Sequence, residues 1–103
     1  MNDYVFIFDA AGDLQVCRSV ADATKWAQDS DLVGQGHTGV FMADGRVLRP
    51  RSDGGSVSML LTEQVALDRL VYRLSEYQRH TPTIPAKVDP RAYAEEWLAA
   101  QQA

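Results

Sequence analysis

The stretch Thr62–His80, TEQVALDRLVYRLSEYQRH, has the most regular apolar spacing in the chain and guides the interpretation of the rest. Its apolar side chains recur at i, i+3, i+4, i+7 and i+10, at Leu67, Leu70, Val71, Leu74 and Tyr77. Only a helix gathers residues at this spacing on one side. Thr62 suits the N-cap of that helix, and the cations Arg79 and His80 suit its negative end. The sequence therefore predicts a long amphipathic helix whose apolar stripe the other elements cover.

Short runs rich in aromatic and β-branched residues predict five strands, arranged as two hairpins and one further strand. The hairpins are Tyr4–Phe8 with Leu14–Arg18 and Val40–Ala43 with Arg46–Arg49, and the further strand is Val57–Leu61. The first of these runs alternates little between apolar and polar residues, which predicts cover on both of its faces. In the strand Leu14–Arg18, Leu14 and Val16 share one face and Cys17 lies on the other.

The dipeptide Asp44-Gly45 indicates the turn of the second hairpin. Both residues tolerate positive φ, so they suit a two-residue type I′ turn. Such a turn pairs Phe41 with Leu48 on one face of the sheet. It pairs Met42 with Val47 on the opposite face.

Two shorter helices complete the predicted elements. Ser19 is a suitable N-cap for a helix that runs to about Gln28. Its inner stripe consists of Val20, Ala23 and Ala27. Three prolines within residues 82–90 favour an extended strap. Asp89 followed by Pro90 then marks the start of a last helix to about Ala100.

These elements predict an α+β fold, with an antiparallel sheet of about five strands and three helices packed mainly on one face. The 103 residues suit one domain. Residues 1–80 form its core, and residues 81–103 add the proline-containing strap and the C-terminal helix to the same domain.

Composition excludes several classes of partner. The net charge is −4, and an acidic chain has no general attraction for the phosphates of nucleic acid. The apolar run Tyr4–Phe8 is far too short to span a membrane. The single cysteine, Cys17, has no partner for an internal disulfide, which favours a reducing cytoplasm. We therefore expect a small acidic cytoplasmic protein that binds neither nucleic acid nor membranes.

One group of residues suggests a ligand or anion site. The glycine-rich loop Gly34–Gly39 contains His37, and backbone amides of such a loop can bind an anion. The candidate side chains are His37, Arg46, Arg49 and Arg51. A dinucleotide fingerprint is excluded because that motif needs a strand before it and a helix after it. The alternative to a binding site is a purely structural interpretation, in which the glycines form an irregular loop and the arginines lie on a solvated surface of mixed charge.

Other catalytic and metal-binding patterns fail on spacing. Asp29–Gly34 resembles the start of a calcium loop, but Val33 and Val40 occupy two required ligand positions. The two histidines lack a spaced partner for a transition metal. Cys17 and His37 could form a nucleophile and base, although a buried thiol on a strand explains Cys17 better. We expect no cofactor and no metal, and these patterns favour a non-catalytic protein over an enzyme.

The leading functional hypothesis is a non-catalytic domain that binds another protein, as a regulatory, inhibitor or immunity-type partner. The absence of a convincing catalytic constellation, the uneven charge and the aromatic last helix support it. The candidate interface residues are Tyr93, Trp97, Arg69 and Arg73. Aromatic side chains anchor interfaces, but they also dock terminal helices on their own domain.

Two alternatives remain open. The chain could bind a small ligand or anion, or act as a compact enzyme, through Gly34–Gly39, His37 and the arginines. It could also be a homodimeric structural subunit that self-associates through its last helix. Alanine substitution of His37 and Arg49 would separate the first alternative from protein binding.

Overall fold

One antiparallel sheet of five strands carries three helices, as the sequence predicts. In the computed structural model, the described residues are 4–9, 13–29, 39–54, 56–80 and 89–102. The elements in chain order are β1 (Val5–Phe8), β2 (Leu14–Cys17), α1 (Val20–Asp29), β3 (Gly39–Met42), β4 (Arg46–Asp53), β5 (Ser56–Val65), α2 (Leu67–His80) and α3 (Pro90–Gln102). The strand order is β2-β1-β3-β4-β5. The α+β prediction is therefore confirmed.

Both faces of the central strand β1 are buried, which divides the core into two layers. Phe6 and Phe8 belong to the layer under α2 and α3, here called the α2–α3 face. Val5 and Ile7 belong to the layer under α1, here called the α1 face. Two helices thus share one face and the third covers the other. A strand that is apolar at every position requires cover on both sides.

The second hairpin has a three-residue turn instead of the predicted two-residue turn. Val40 pairs with Leu48, and Phe41 pairs with Val47. This register moves Phe41 to the α2–α3 face and Leu48 to the α1 face, so the predicted shared face is wrong. A slip of one residue exchanges the two faces because side chains alternate along a strand.

Contacts around Gly45 account for this turn. Its φ is +92°, and its N–H donates to the Met42 carbonyl at 2.9 Å. The Asp44 carboxylate accepts from the backbone N–H of Arg46 at 2.9 Å. The Gly45 carbonyl accepts from the N–H of Ala66 at 2.8 Å, which ties the turn to the chain just before α2. A single glycine at positive φ closes a three-residue hairpin loop.

The helix α2 begins at Leu67, four residues later than an N-cap at Thr62 predicts, because the preceding residues extend β5. The hydroxyl of Thr62 donates to the Val47 carbonyl at 2.7 Å, so this side chain bridges strands and is not an N-cap. Beyond the pair Leu48 and Leu61 the β4–β5 register shifts, and the ladder resumes at the pair Arg46 and Val65. The strand β5 therefore includes residues that sequence alone assigns to the first helical turn.

The caps of α1 and α3 agree with the sequence. The Ser19 hydroxyl accepts from the backbone N–H of Asp22 at 3.1 Å. The Asp89 carboxylate accepts from the N–H of Arg91 at 3.2 Å, and Pro90 is the first residue of α3. Each side chain satisfies an N–H group that the start of a helix leaves without a partner.

The helix α1 reaches both edges of the sheet, since it contacts β5 at one edge and β2 at the other. Val57 and Met59 of β5 pack against the α1 face.

Candidate functional site

The residues predicted to bind an anion are only partly brought together. His37 and the loop residues 34–38 lie outside the described residues. Arg49 and Arg51 are exposed on β4, opposite Leu60 and Ser58 of β5. Strand alternation places these two arginines on one face and Arg46 on the other.

Arg46 is half-buried at the start of β4. Its Nε atom is enclosed and has no hydrogen-bond acceptor among the described residues. An enclosed donor without a partner costs stability, and natural structures contain few such groups. Arg46 is therefore separated from Arg49 and Arg51 both by orientation and by burial.

Arg73 of α2 is engaged by the chain itself. Its Cζ atom lies 5.5 Å from the centroid of the Phe8 ring, in a cation–π contact. A Cβ atom at Gly39 would lie 3.1 Å from its Nη1 atom, so the guanidinium also lies against the start of β3. Arg69 is exposed one turn earlier. The packing of Arg73 thus accounts for one of the two helical arginines assigned to an interface.

Tyr93 and Trp97 are buried in the core on the α2–α3 face. The Tyr93 hydroxyl is enclosed without a hydrogen-bond partner among the described residues. Burial, assisted by the nearby Tyr77, raises the pKa of Tyr93 to about 12. Both aromatic side chains therefore dock α3 on its own domain, which is the structural alternative that the sequence left open.

Cys17 is buried at the end of β2 and faces the α1 layer. Burial raises the pKa of its thiol to about 11, the Asp22 carboxylate adds to the rise, and a hydrogen bond with Gln15 opposes it. The thiolate is the nucleophilic form of cysteine. Cys17 is therefore a protonated, unreactive thiol near neutral pH.

An open groove of about 340 Å³ lies beside Cys17, between α1, β2 and Leu98 of α3. The charged side chains that line it are of both signs, namely Arg18 and Lys25 with Asp22 and Asp29. Among the described residues, no three His, Cys, Asp or Glu side chains are grouped so that they could hold a metal ion. The groove combines no activated nucleophile with a base.

The outer edge of β5 is the feature that sequence reasoning missed. The large exposed apolar side chains of the described residues are Leu60 (44% exposed), Leu61 (57%), Val65 (60%), Leu67 (42%) and Tyr72 (65%). We call these five residues the β5 surface. All of them come from β5 and the first half of α2, while β5 is an edge strand of ten residues. A long edge strand presents unpaired N–H and C=O groups to another chain.

A signal for this surface exists in the sequence. Leu60 and Leu61 are consecutive, so one of them must leave the buried face of any strand. Tyr72 falls outside the apolar stripe of α2. The missing information is the strand order, because only an edge position turns an apolar strand into a binding surface.

No helix formed by the described residues is long and apolar enough to cross a membrane. Comparison with protein-family models finds no match for this chain. The curated proteins and the solved structures likewise give no match. A functional assignment therefore rests on the chemistry and geometry of the chain itself.

Proposed function

We propose that this chain is a non-catalytic domain that binds a protein partner through the β5 surface. The observation that supports this proposal is the concentration of large exposed apolar side chains on one edge strand and the helix that follows it. Exposed apolar side chains that cluster, instead of being scattered singly, are typical of interaction sites. A regulatory, inhibitor or immunity-type role in the reducing cytoplasm remains part of the proposal.

The physical basis is strand addition. Along β5, backbone groups on the side away from β4 can pair with an extended segment of the partner. Leu60 and Leu61 lie on opposite faces of this edge, so an added strand would contact apolar side chains on both faces. Burial of apolar area contributes roughly 25 cal/mol per Å², and the ladder bonds fix the register.

The opposite edge of the sheet is less suited to this task. β2 has four residues, and Cys17 and Val16 on it are buried. Its flank carries the mixed charges of the groove beside Cys17. Short edge strands and charged side chains are two of the devices by which proteins prevent edge pairing, and β-bulges are a third. The long β5 carries one charged residue, Glu63, and one irregularity in its pairing with β4, beyond Leu61.

Affinity capture from the source cell tests the proposal through the substitution Leu61→Lys. This side chain is more than half exposed, so we expect the fold to survive, as a circular-dichroism spectrum and a cooperative urea transition would show. The matched control is Gln28→Lys on the exposed surface of α1. Proteins retained by the wild type and the control but lost by Leu61→Lys would support the proposal. Identical capture by all three chains would refute it.

A further inference from the structure

We infer that the partner of the β5 surface is a second copy of this chain, with the two β5 strands paired antiparallel about a two-fold axis at Leu60. This inference rests on the proposed function and names its partner. The result would be one continuous sheet of ten strands, twice the five in a single chain. The support comes from the order of residues along β5, from charge and from the contrast between the two sheet edges.

The sequence of β5 is nearly self-complementary about Leu60. An antiparallel pairing centred there places residue types opposite one another as Leu60 with Leu60, Met59 with Leu61, Ser58 with Thr62, Val57 with Glu63 and Ser56 with Gln64. Apolar side chains meet apolar ones at the centre, hydroxyls meet next, Val57 opposite Glu63 is a mixed pair, and the outermost pair is polar. Directly opposite side chains of this kind stabilise a strand pair.

The symmetry permits this register. A two-fold axis normal to the sheet keeps the α1 face of both copies on the same side, and residues directly opposite must then share a face. Leu60 lies opposite Arg49 and therefore points to the α2–α3 side, whereas Met59 packs on the α1 face. The residue on the axis lies opposite the same residue of the second copy, so the pairing of the two Leu60 residues satisfies this condition.

Charge selects the antiparallel direction. Glu63 is the only charged residue of β5. In the pairing centred at Leu60, the two Glu63 residues lie six residue steps apart, or about 20 Å along the strands. A parallel in-register pairing would place them directly opposite each other, where like charges are destabilising.

A closed dimer also uses the edge more fully than the alternative contact. Pairing β5 with β2 of another copy would be limited by the four residues of β2. That contact would also leave one edge unpaired at each end and so generate an open chain of molecules. The β5–β5 contact draws on the ten residues of β5, whose pairing with β4 shifts register beyond Leu61, and it closes after two copies.

Charge reversal at the axis tests the inference, because position 60 faces itself. The experiment measures the mass of the whole chain by sedimentation and light scattering across rising concentration. The wild type is expected to approach twice the 11.4 kDa of one chain. Leu60→Lys and Leu60→Glu, each alone, place like charges opposite each other and should remain monomeric. An equimolar mixture of the two variants should restore the dimer, because the opposed charges then attract.

The mixture guards against misfolding, since two unfolded variants could not restore a dimer. Gln28→Lys should dimerise like the wild type. A wild type that stays monomeric at the highest concentration would overturn the inference, and so would single variants that dimerise normally or a mixture that does not. A monomeric wild type whose captured partners depend on Leu61 would overturn the self-pairing alone. Loss of both effects would also overturn the proposed function.

Discussion

Removal of one buried oxygen atom should stabilise this protein. The hydroxyl of Tyr93 is enclosed in the core on the α2–α3 face and has no hydrogen-bond partner among the described residues. In the unfolded chain the same hydroxyl binds water. Folding therefore costs the desolvation free energy of that group, and Tyr93→Phe removes the cost while it keeps the ring.

The expected magnitude follows from two opposing terms. An unsatisfied buried polar group costs about 1–3 kcal/mol. The void left by one oxygen atom, roughly 15 Å³, costs about 0.4 kcal/mol at ~24 cal/mol per Å³. The net gain in the free energy of unfolding for Tyr93→Phe is therefore about 1–2 kcal/mol. A gain of 1 kcal/mol raises Tm by about 4–8 °C in a domain of this size.

Alkaline pH provides an independent signature of the same desolvation. The pKa of Tyr93 is raised from 10.0 to about 12 in the folded protein. Between these values the unfolded state binds fewer protons than the folded state, so wild-type stability falls as pH rises. From pH 9.5 to 11 this loss amounts to about 1 kcal/mol. Tyr93→Phe lacks the titrating group, so its advantage over the wild type should widen by that amount.

The assay is urea unfolding followed by circular dichroism, with the linear extrapolation applied at pH 7, 9.5 and 11. Tyr72→Phe is the matched control, because the Tyr72 ring is exposed and its hydroxyl meets solvent. We expect that control to change stability by less than about 0.5 kcal/mol. A loss of 1 kcal/mol or more for Tyr93→Phe would refute the reasoning, since it would mean that the hydroxyl makes a stabilising bond.

Two further predictions concern the turn and the thiol. In urea unfolding, Gly45→Ala should destabilise the protein by roughly 2 kcal/mol more than Gly54→Ala. Both glycines have positive φ, but a Cβ at Gly45 would lie 2.6 Å from the Cα of Leu67, whereas one at Gly54 meets no atom within 4 Å. Equal losses of stability would contradict the packing described. At pH 8 the thiolate fraction of Cys17 should be about 100-fold lower in the folded than in the unfolded protein, so its reaction with a disulfide reagent should be correspondingly slow. Asp22→Asn should speed that reaction because it lowers the pKa of Cys17. Labelling at the unfolded rate would contradict the burial of the thiol.

Local chemistry made parts of the fold predictable from the sequence. The cap residues Ser19 and Asp89 act on N–H groups within three residues, so no distant contact is needed to place the starts of α1 and α3. Strand alternation alone places Leu14 and Val16 on one face and Cys17 on the other. These features depend on near neighbours along the chain, which the sequence displays directly.

Distant contacts decided the features that sequence reasoning got wrong. The turn at Gly45 depends on the hydrogen bond from Ala66 and on the backbone of Leu67, both about twenty residues away. The start of α2 depends on the ladder between β4 and β5, in which Thr62 bridges to Val47. Neither partner is visible in the local pattern, and a helical period and a strand ladder compete for the same residues.

The candidate site was harder to predict than the fold for the same reason. The five residues of the β5 surface form a recognisable pattern only when β5 is known to lie at an edge. Aromatic content instead directed attention to Tyr93 and Trp97, which are buried. Composition ranks residues by what they can do, whereas strand order decides which of them another molecule can reach.

The central position of β1 has a consequence for the newly made chain. During synthesis β1 and β2 are complete before β3 exists, and at about 5–20 residues per second the ribosome needs a few seconds to reach Met42. Until β3 docks, one side of an entirely apolar strand has no neighbour and can pair with another chain. Asp3 and Asp9, which flank β1 in the sequence, place charge at both ends of this segment and act as gatekeepers against aggregation.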